Sequence, residues 1–447
     1  MKKILTYVLP VAMGLMISSC AQLEYSPKDS VPSATAINNL ASAKAAVFGV
    51  YSEMQDGTLA FDGWLGLNQM FSDECIHTGT FPTRKEFGLL DVFPANTTMA
   101  AVFSDFYDVI NEANNVIAAL EAGGFEDEGL TPEVINSFLG EVRFIRAYTY
   151  WYLLQNWGTP PLITTPTRDV SDEALQVPNS SASAIIDLIV SDFQFAEANL
   201  ATSGTTRATS LAATAMLARA NLYAGDYASA LGKAEEVMNS GAYALEGAYS
   251  NVFATTSSEA IFYLNFTTVD GNSNSFFYYP SAKGGRLSIS PSAEMIASFT
   301  SDDLRFASSI DTASVPLEPH CIKYLDVAAG TDPIYFLRLA EIYLIAAEAA
   351  AEGGDFTKAE GYLNAIRSRA GLADATLDAS NYVDVILTEK YKELAFEGPT
   401  RTWDLRRRGL AASTLGSRGY DAPTDDLWPF PTRDIDRNPN LTQNPGY

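Results

Sequence analysis

Histidine is almost missing from this chain of 447 residues, since His77 and His320 are the only two. A His-rich zinc site and an HExxH helix are therefore unavailable, because both need imidazoles grouped at close spacing. No GxSxG turn and no GxxxxGK[ST] loop occurs, which removes the usual α/β-hydrolase nucleophile and the P-loop phosphate cradle. Positive charge is also scarce, with 29 Lys and Arg against 54 Asp and Glu and a formal net charge of −25. A chain with no basic face has nothing with which to release counterions from phosphates, so its balance argues against nucleic acid as a partner. The acids offer many carboxylate pairs but no spacing that selects two across a cleft, as glycoside hydrolysis requires. These absences favour a protein that is not an enzyme and needs no cofactor.

Cysteine is limited to Cys20, Cys75 and Cys321. Long apolar runs are limited to one, Ile4 to Ile17, which Pro10 interrupts and which is short for a membrane span of roughly 20 residues. Lys2 and Lys3 precede it and the small residues Ser18 and Ser19 follow it, the pattern of a cleaved export signal over residues 1–19. Ile17-Ser18-Ser19-Cys20 resembles the lipobox of bacterial lipoproteins, which marks Cys20 as the site of lipid attachment. Whether Cys75 and Cys321 pair stays open, because their separation in space is not in the sequence.

What is present is material for a large core: 47% of residues are hydrophobic and 11% aromatic. No Gly/Ser-rich or Pro-rich linker divides the middle, so residues 20–447 are expected to form one domain. Two segments repeat one design. "LAATAMLARANLYAGDYASALGKAEEV" and "RLAEIYLIAAEAAAEGGDFTKAEGYLNAIRSRAGL" each carry helical spacing up to a Gly-Asp turn and resume it afterwards. Superposing Gly225-Asp226-Tyr227 on Gly354-Asp355-Phe356 brings Ala230 onto Ala359, where small residues let two helices approach. This is the helix-turn-helix of tetratricopeptide-like repeats, so a mainly α scaffold is predicted. Further helices are expected at "FYDVINEANNVIAALEAG" and at "EVINSFLGEVRFIRAYTYWYLLQNWG", with Tyr148, Tyr150, Trp151 and Tyr152 in the core. Arg338 and Glu341, at i,i+3, are expected to form a structural ion pair. Between the two repeat units, roughly over residues 245–335, "EAIFYLNFT" reads as a short strand and "VDGNSNSFFYYPSAKGGRLSISP" as a loop, an irregular insertion suited to recognition.

The order of these parts resembles the SusD/RagB family of Bacteroidetes outer-membrane nutrient-binding lipoproteins, over essentially the whole of residues 20–447. The carrying motifs are Glu393-Leu394-Ala395-Phe396-Glu397-Gly398, then Arg401, then Asp404-Leu405-Arg406-Arg407, and the ending "NPNLTQNPGY". "RFIRAYTYWYLLQNWGTPPLI" is also similar to family members. Two departures stand out: Pro399 and Thr400 lie between Gly398 and Arg401 where one residue is commoner, and in "SDECIHTGTFPTRKEFG" Lys85 and Phe87 replace a usual glycine and tryptophan. The resemblance implies a lipid-anchored protein on the outer face of the outer membrane. It further implies capture of an oligosaccharide, or in some relatives a peptide, and a SusC-like TonB-dependent transporter as partner. It also implies that the Pro- and Asn-rich tail is packed, with Tyr447 and the Asn side chains as clamps, and that the charged groups of the 393–407 signature form a structural network.

A sugar offers C–H faces to aromatic rings and a rim of hydroxyls to polar side chains. Two stretches mix those groups: His77, Arg84, Phe87, Phe93 and Asn96 in the first, and Asn274, Phe276, Phe277, Tyr278, Tyr279 and Arg286 in the second. Neither holds one of the five tryptophans, so a platform there must be built from Phe and Tyr. The competing readings are a helical scaffold that binds only protein, and a glycoside hydrolase.

Overall fold

A computed structural model describes residues 37–169, 171–254 and 257–447. The expected signal segment 1–19 and the expected lipid-attachment residue Cys20 lie outside the described residues. Helix accounts for 55% of the described residues. The longer helices are α1 (Leu40–Met54), α2 (Thr97–Ala122), α3 (Pro132–Trp157), α4 (Ala182–Asn199), α5 (Ser210–Ala224), α6 (Tyr227–Asn239), α7 (Leu339–Glu352), α8 (Phe356–Arg369) and α9 (Tyr382–Glu393).

The two repeat units close by one device. Gly225 and Gly354 adopt φ of +77° and +81°, a left-handed turn that glycine enters without strain. Asp226 and Asp355 then cap the next helix by accepting from the backbone N–H of Ser229 and Lys358. Ala230 and Ala359 are both fully buried at the helix crossings. Although far apart in sequence, the units are neighbours in space, because α6 packs on α7 and so continues a stack in which each helix from α1 to α8 rests on its predecessor. One hydrophobic cluster runs from Ile37 to Leu441 through α1–α7, and a second joins the other face of α7 to α8 and α9. Tyr148, Tyr150, Trp151 and Tyr152 all lie within the first, as core packing.

The segment between α6 and α7 is closed at its base by β2 (Ala260–Leu264), paired antiparallel with β6 (Ile334–Arg338). Within it, β3 (Ile289–Pro291) pairs with β1 (Cys75–His77) from the amino-terminal half, and β4 (Ile310–Asp311) pairs with β5 (His320–Cys321). Cys75 and Cys321 are buried free thiols.

The 393–407 signature is a buried ionic network. Arg338 meets Glu397 at 2.5 Å, Glu393 at 2.5 Å and Glu259 at 3.3 Å, and Glu393 also takes Arg369 and Arg305. Arg401 forks onto Asp73, and Asp404 bridges Lys390 and Arg407. The expected Arg338–Glu341 pair does not form, because Arg338 is the last strand residue before α7, with extended backbone, so the helical i,i+3 geometry never applies. Glu341 is taken instead by Arg219 at 2.6 Å.

The tail is held chiefly by its amides. Asn444 Nδ2 donates to the carbonyls of Trp157 and Trp428, Asn438 to Val177 and Asn440 to Gln176. Tyr447 is half-buried and its hydroxyl has no partner among the described residues, so Asn444 is the stronger clamp.

Glu74 gives the fold a pH dependence. Its side chain is buried and accepts from Phe396 N–H at 3.2 Å, and burial pushes its pKa up to about 8. From the ordinary value of 4.5 up to about 8 the folded state therefore holds a proton that the unfolded chain releases. Stability from this group falls as pH rises through that window, by at most about 1.4 kcal/mol per pH unit. Urea titrations from pH 5 to pH 8 are expected to show that slope, and Glu74→Gln is expected to flatten it; an unchanged slope in the variant would refute the assignment.

Candidate functional site

The two stretches singled out in the sequence meet along one seam. Its base is the β1–β3 pair, in which His77 lies opposite Ile289. The seam continues as Thr78 and Gly79 donate from their backbone N–H groups to Ser288 O at 3.1 and 3.3 Å. A Cβ on Gly79 would sit 3.0 Å from Ser288 Oγ and 3.1 Å from its Cα, so glycine permits this close approach. On the other side, the short helix Asn274–Tyr278 turns back on itself through Arg286 N–H to Phe276 O and Ser288 N–H to Phe277 O, at 2.7 and 2.8 Å.

Arg84, on the short helix Pro82–Leu89, is the centre of the seam. It forks onto Asp62 at 2.7 and 2.8 Å, while its guanidinium carbon lies 4.1, 4.6 and 4.9 Å from the ring centroids of Phe277, Phe81 and Phe61. Burial pushes the Asp62 carboxyl up, and Arg84 opposes that. Arg286 stacks on the same Phe81 ring at 4.3 Å and donates to Thr80 Oγ1 at 3.0 Å. Two guanidinium groups thus share one phenyl ring, a rigid arrangement in which cation–π attraction orders flat groups with little freedom to lose.

The predicted residues separate by burial. Arg286, Phe276 and Phe93 are exposed, the last two at 37% and 53%, and His77 and Phe277 are half-buried. Arg84 is buried beneath Phe81 and Phe277. Phe87, expected as part of a platform, is instead core: it is fully buried, edge-on to Trp428 at 4.8 Å. Tyr278 is likewise buried, stacked on Tyr324 at 5.4 Å with its hydroxyl on Gln69, and Asn274 is buried under the same loop. Tyr279 is buried edge-on to His320 at 5.2 Å. Asn96 is a cap, accepting from Met99 N–H at the start of α2 and donating to Thr83 O and Glu86. Phe87, Tyr278 and Tyr279 give short helices and turns their apolar floor and Asn96 caps α2, whereas the buried Asn274 amide has no hydrogen-bond partner among the described residues.

Three contributors were not singled out in the sequence: Phe61, Asp62 and Phe81. The first two come from a π-helical stretch, Leu59–Gly66, whose wider turn has no distinct sequence period. Asp62 carried a usable signal, as the one acid in the apolar run Leu59–Leu67. Among the described residues, no group of His, Cys, Asp and Glu is arranged to hold a metal ion, and no helix is long and apolar enough to cross a membrane.

Residues 323–447 match the SusD family model, and residues 84–222 match a model described as starch-binding associating with outer membrane. A SusD-like protein of Formosa agariphila, P2, is 26% identical over 98% of this chain and 98% of its own length. The chain belongs to the SusD/RagB family. In fold it follows other SusD-like proteins: a laminarin-binding SusD-like protein superposes with a TM-score of 0.82 at 24% identity, covering 92% of this chain and 100% of that one. The surface glycan-binding protein A of Bacteroides thetaiotaomicron, solved with laminarihexaose, superposes at 0.77 with 20% identity, covering 91% of this chain and 99% of that one. The mainly helical, tetratricopeptide-like scaffold is therefore that of SusD-like structures, with its short strands in the insertion.

Proposed function

We propose that this SusD-like protein is an outer-membrane lipoprotein that binds an extracellular oligosaccharide and passes it to a SusC-like TonB-dependent transporter for import. The observation that carries the reading is the exposed Phe276 ring beside Arg286, whose guanidinium is ordered by stacking on Phe81. Phe276 offers an apolar face to a pyranose, while Arg286, held by Phe81, and His77 stand near it as hydrogen-bonding groups. The residues gathered there, an exposed phenyl ring beside hydrogen-bonding side chains, suit adhesion. The glycan-binding relatives and the family model's outer-membrane description support the same reading.

Cys20 would carry the acyl chains, with residues 1–19 removed as signal and residues 20–447 acting as one domain, the insertion over roughly 245–335 presenting half of the platform. Two measurements test this. Cys20→Ala is expected to lose lipid labelling and membrane retention while the body melts unchanged; retention in the membrane fraction would refute the anchor. Calorimetric titration of the mature protein with an oligosaccharide and peptide panel is expected to give saturable glycan binding without release of reducing ends. Binding of peptides alone, or turnover of a polymer, would refute the glycan-capture reading.

A further inference from the structure

The platform reverses the sign of the chain that carries it. Acids outnumber bases 54 to 29 in the protein, yet from Ile76 to Phe93 and from Asn274 to Ser290 the charged residues are Arg84, Lys85, Lys283 and Arg286 against Glu86 and Asp91. Their partners sharpen the imbalance. Asp62 neutralises Arg84, and Asp311 pairs with Lys283 at 2.9 Å. Glu86 is occupied by Phe93 N–H and Asn96 Nδ2, and Asp91 lies toward Asp425 and Tyr447 at the tail. Among the described residues no carboxylate lies within ion-pair distance of Lys85 or Arg286, both of which are exposed.

Arg286 is also preorganised. Stacking on Phe81 fixes its plane, and its protein hydrogen bond, Nη2 to Thr80, leaves other N–H donors of the fork free. A planar fork of this kind takes a carboxylate or a sulfate through paired, charge-assisted bonds. In the same seam, Arg84 Nη1 and His77 Nε2 are buried with no partner among the described residues. Burial holds the His77 imidazole below its ordinary range, and the Arg84 and Lys85 charges push the same way, with no acid opposing them. The distant acids do not cancel this local field, since exposed charges are screened over about 8 Å at physiological salt.

We propose that the ligand is an acidic glycan, whose pyranose ring stacks on Phe276 while a carboxylate or sulfate group on it is taken by Arg286, with Lys85 adding to the positive charge of the rim. This rests on the glycan-capture reading and narrows it to a substrate class.

The test titrates the mature protein with three oligosaccharides: oligogalacturonate, a sulfated galactan oligomer, and neutral laminarihexaose. One or both acidic ligands are expected to bind at least about tenfold more tightly than the neutral one, and the stronger of them identifies the anionic group. Arg286→Ala is expected to lose about tenfold in affinity for it with an unchanged melting temperature, and Arg286→Lys to recover part of the loss. With only two histidines, selective labelling gives an independent readout: the acidic ligand is expected to raise the His77 titration midpoint and leave that of His320 in place. Equal or tighter binding of laminarihexaose, or an acidic affinity unaffected by Arg286→Ala, overturns the acidic-glycan proposal and leaves glycan capture standing. Failure of every glycan overturns both.

Discussion

Replacing Arg338 with methionine is expected to cost the fold about 3–5 kcal/mol near neutral pH, the range for breaking a buried ion pair by removing one partner. Arg338 is almost fully buried and is the cation common to Glu259, Glu393 and Glu397. Burial alone would raise the Glu393 carboxyl, but Arg338, Arg369 and Arg305 together overcome it and hold the group well below the usual carboxylate range. A carboxylate lowered in the folded state contributes stability above its unfolded pKa and loses it as pH falls. In the variant that contribution shrinks, so the gap between wild type and Arg338→Met is expected to be widest at pH 7 and to narrow below about pH 4.5, near the ordinary glutamate value. Urea denaturation at pH 7 and pH 4 measures both quantities. A gap under 1 kcal/mol at pH 7 would mean that the network is dispensable to the fold.

The second large effect is at Phe87. Its ring has no exposed surface and packs edge-on to Trp428 at 4.8 Å and to Phe71 at 6.0 Å. Truncation to alanine leaves a cavity at the junction of the Pro82–Leu89 helix with the carboxyl-terminal segment, at a cost of about 3–5 kcal/mol. Phe81, six positions earlier, is half-buried on the platform. Phe81→Ala is therefore expected to change stability by less than about 1 kcal/mol and to weaken glycan binding instead. Thermal melts and glycan titrations on both variants separate the two roles. If Phe87→Ala melts like wild type while losing ligand, the ring is a platform residue after all.

Those two phenylalanines show where sequence reasoning reaches its end. The repeat units were legible because Gly225-Asp226 and Gly354-Asp355 each combine a residue suited to positive φ with one suited to capping, and because apolar periodicity runs through both flanking helices. The 393–407 signature was legible as a structural network, although its partners were not: Arg338 faces α9 rather than Glu341, a contact between segments 55 residues apart. The insertion was legible as irregular, with short strands and turns. Its floor was not, because Tyr278, Tyr279 and Phe276 are consecutive or nearly so, and only tertiary packing decides which ring turns inward. Asp62 reached the site through a π-helical turn that places residues off the ordinary helical period.

The β1–β3 register carries an evolutionary corollary. Because the rim is sewn from strands more than two hundred positions apart, grafting the insertion of a relative onto this body would transplant half a glove: the incoming loop would still have to mate with Cys75–His77. Outlying tips such as Val269 and Leu317, free of that seam and fully in solvent, can drift residue by residue. Selection for a new ligand would thus be expected to rewrite both strands of the seam in concert, and substitutions at His77 and Ile289 to track one another across descendants.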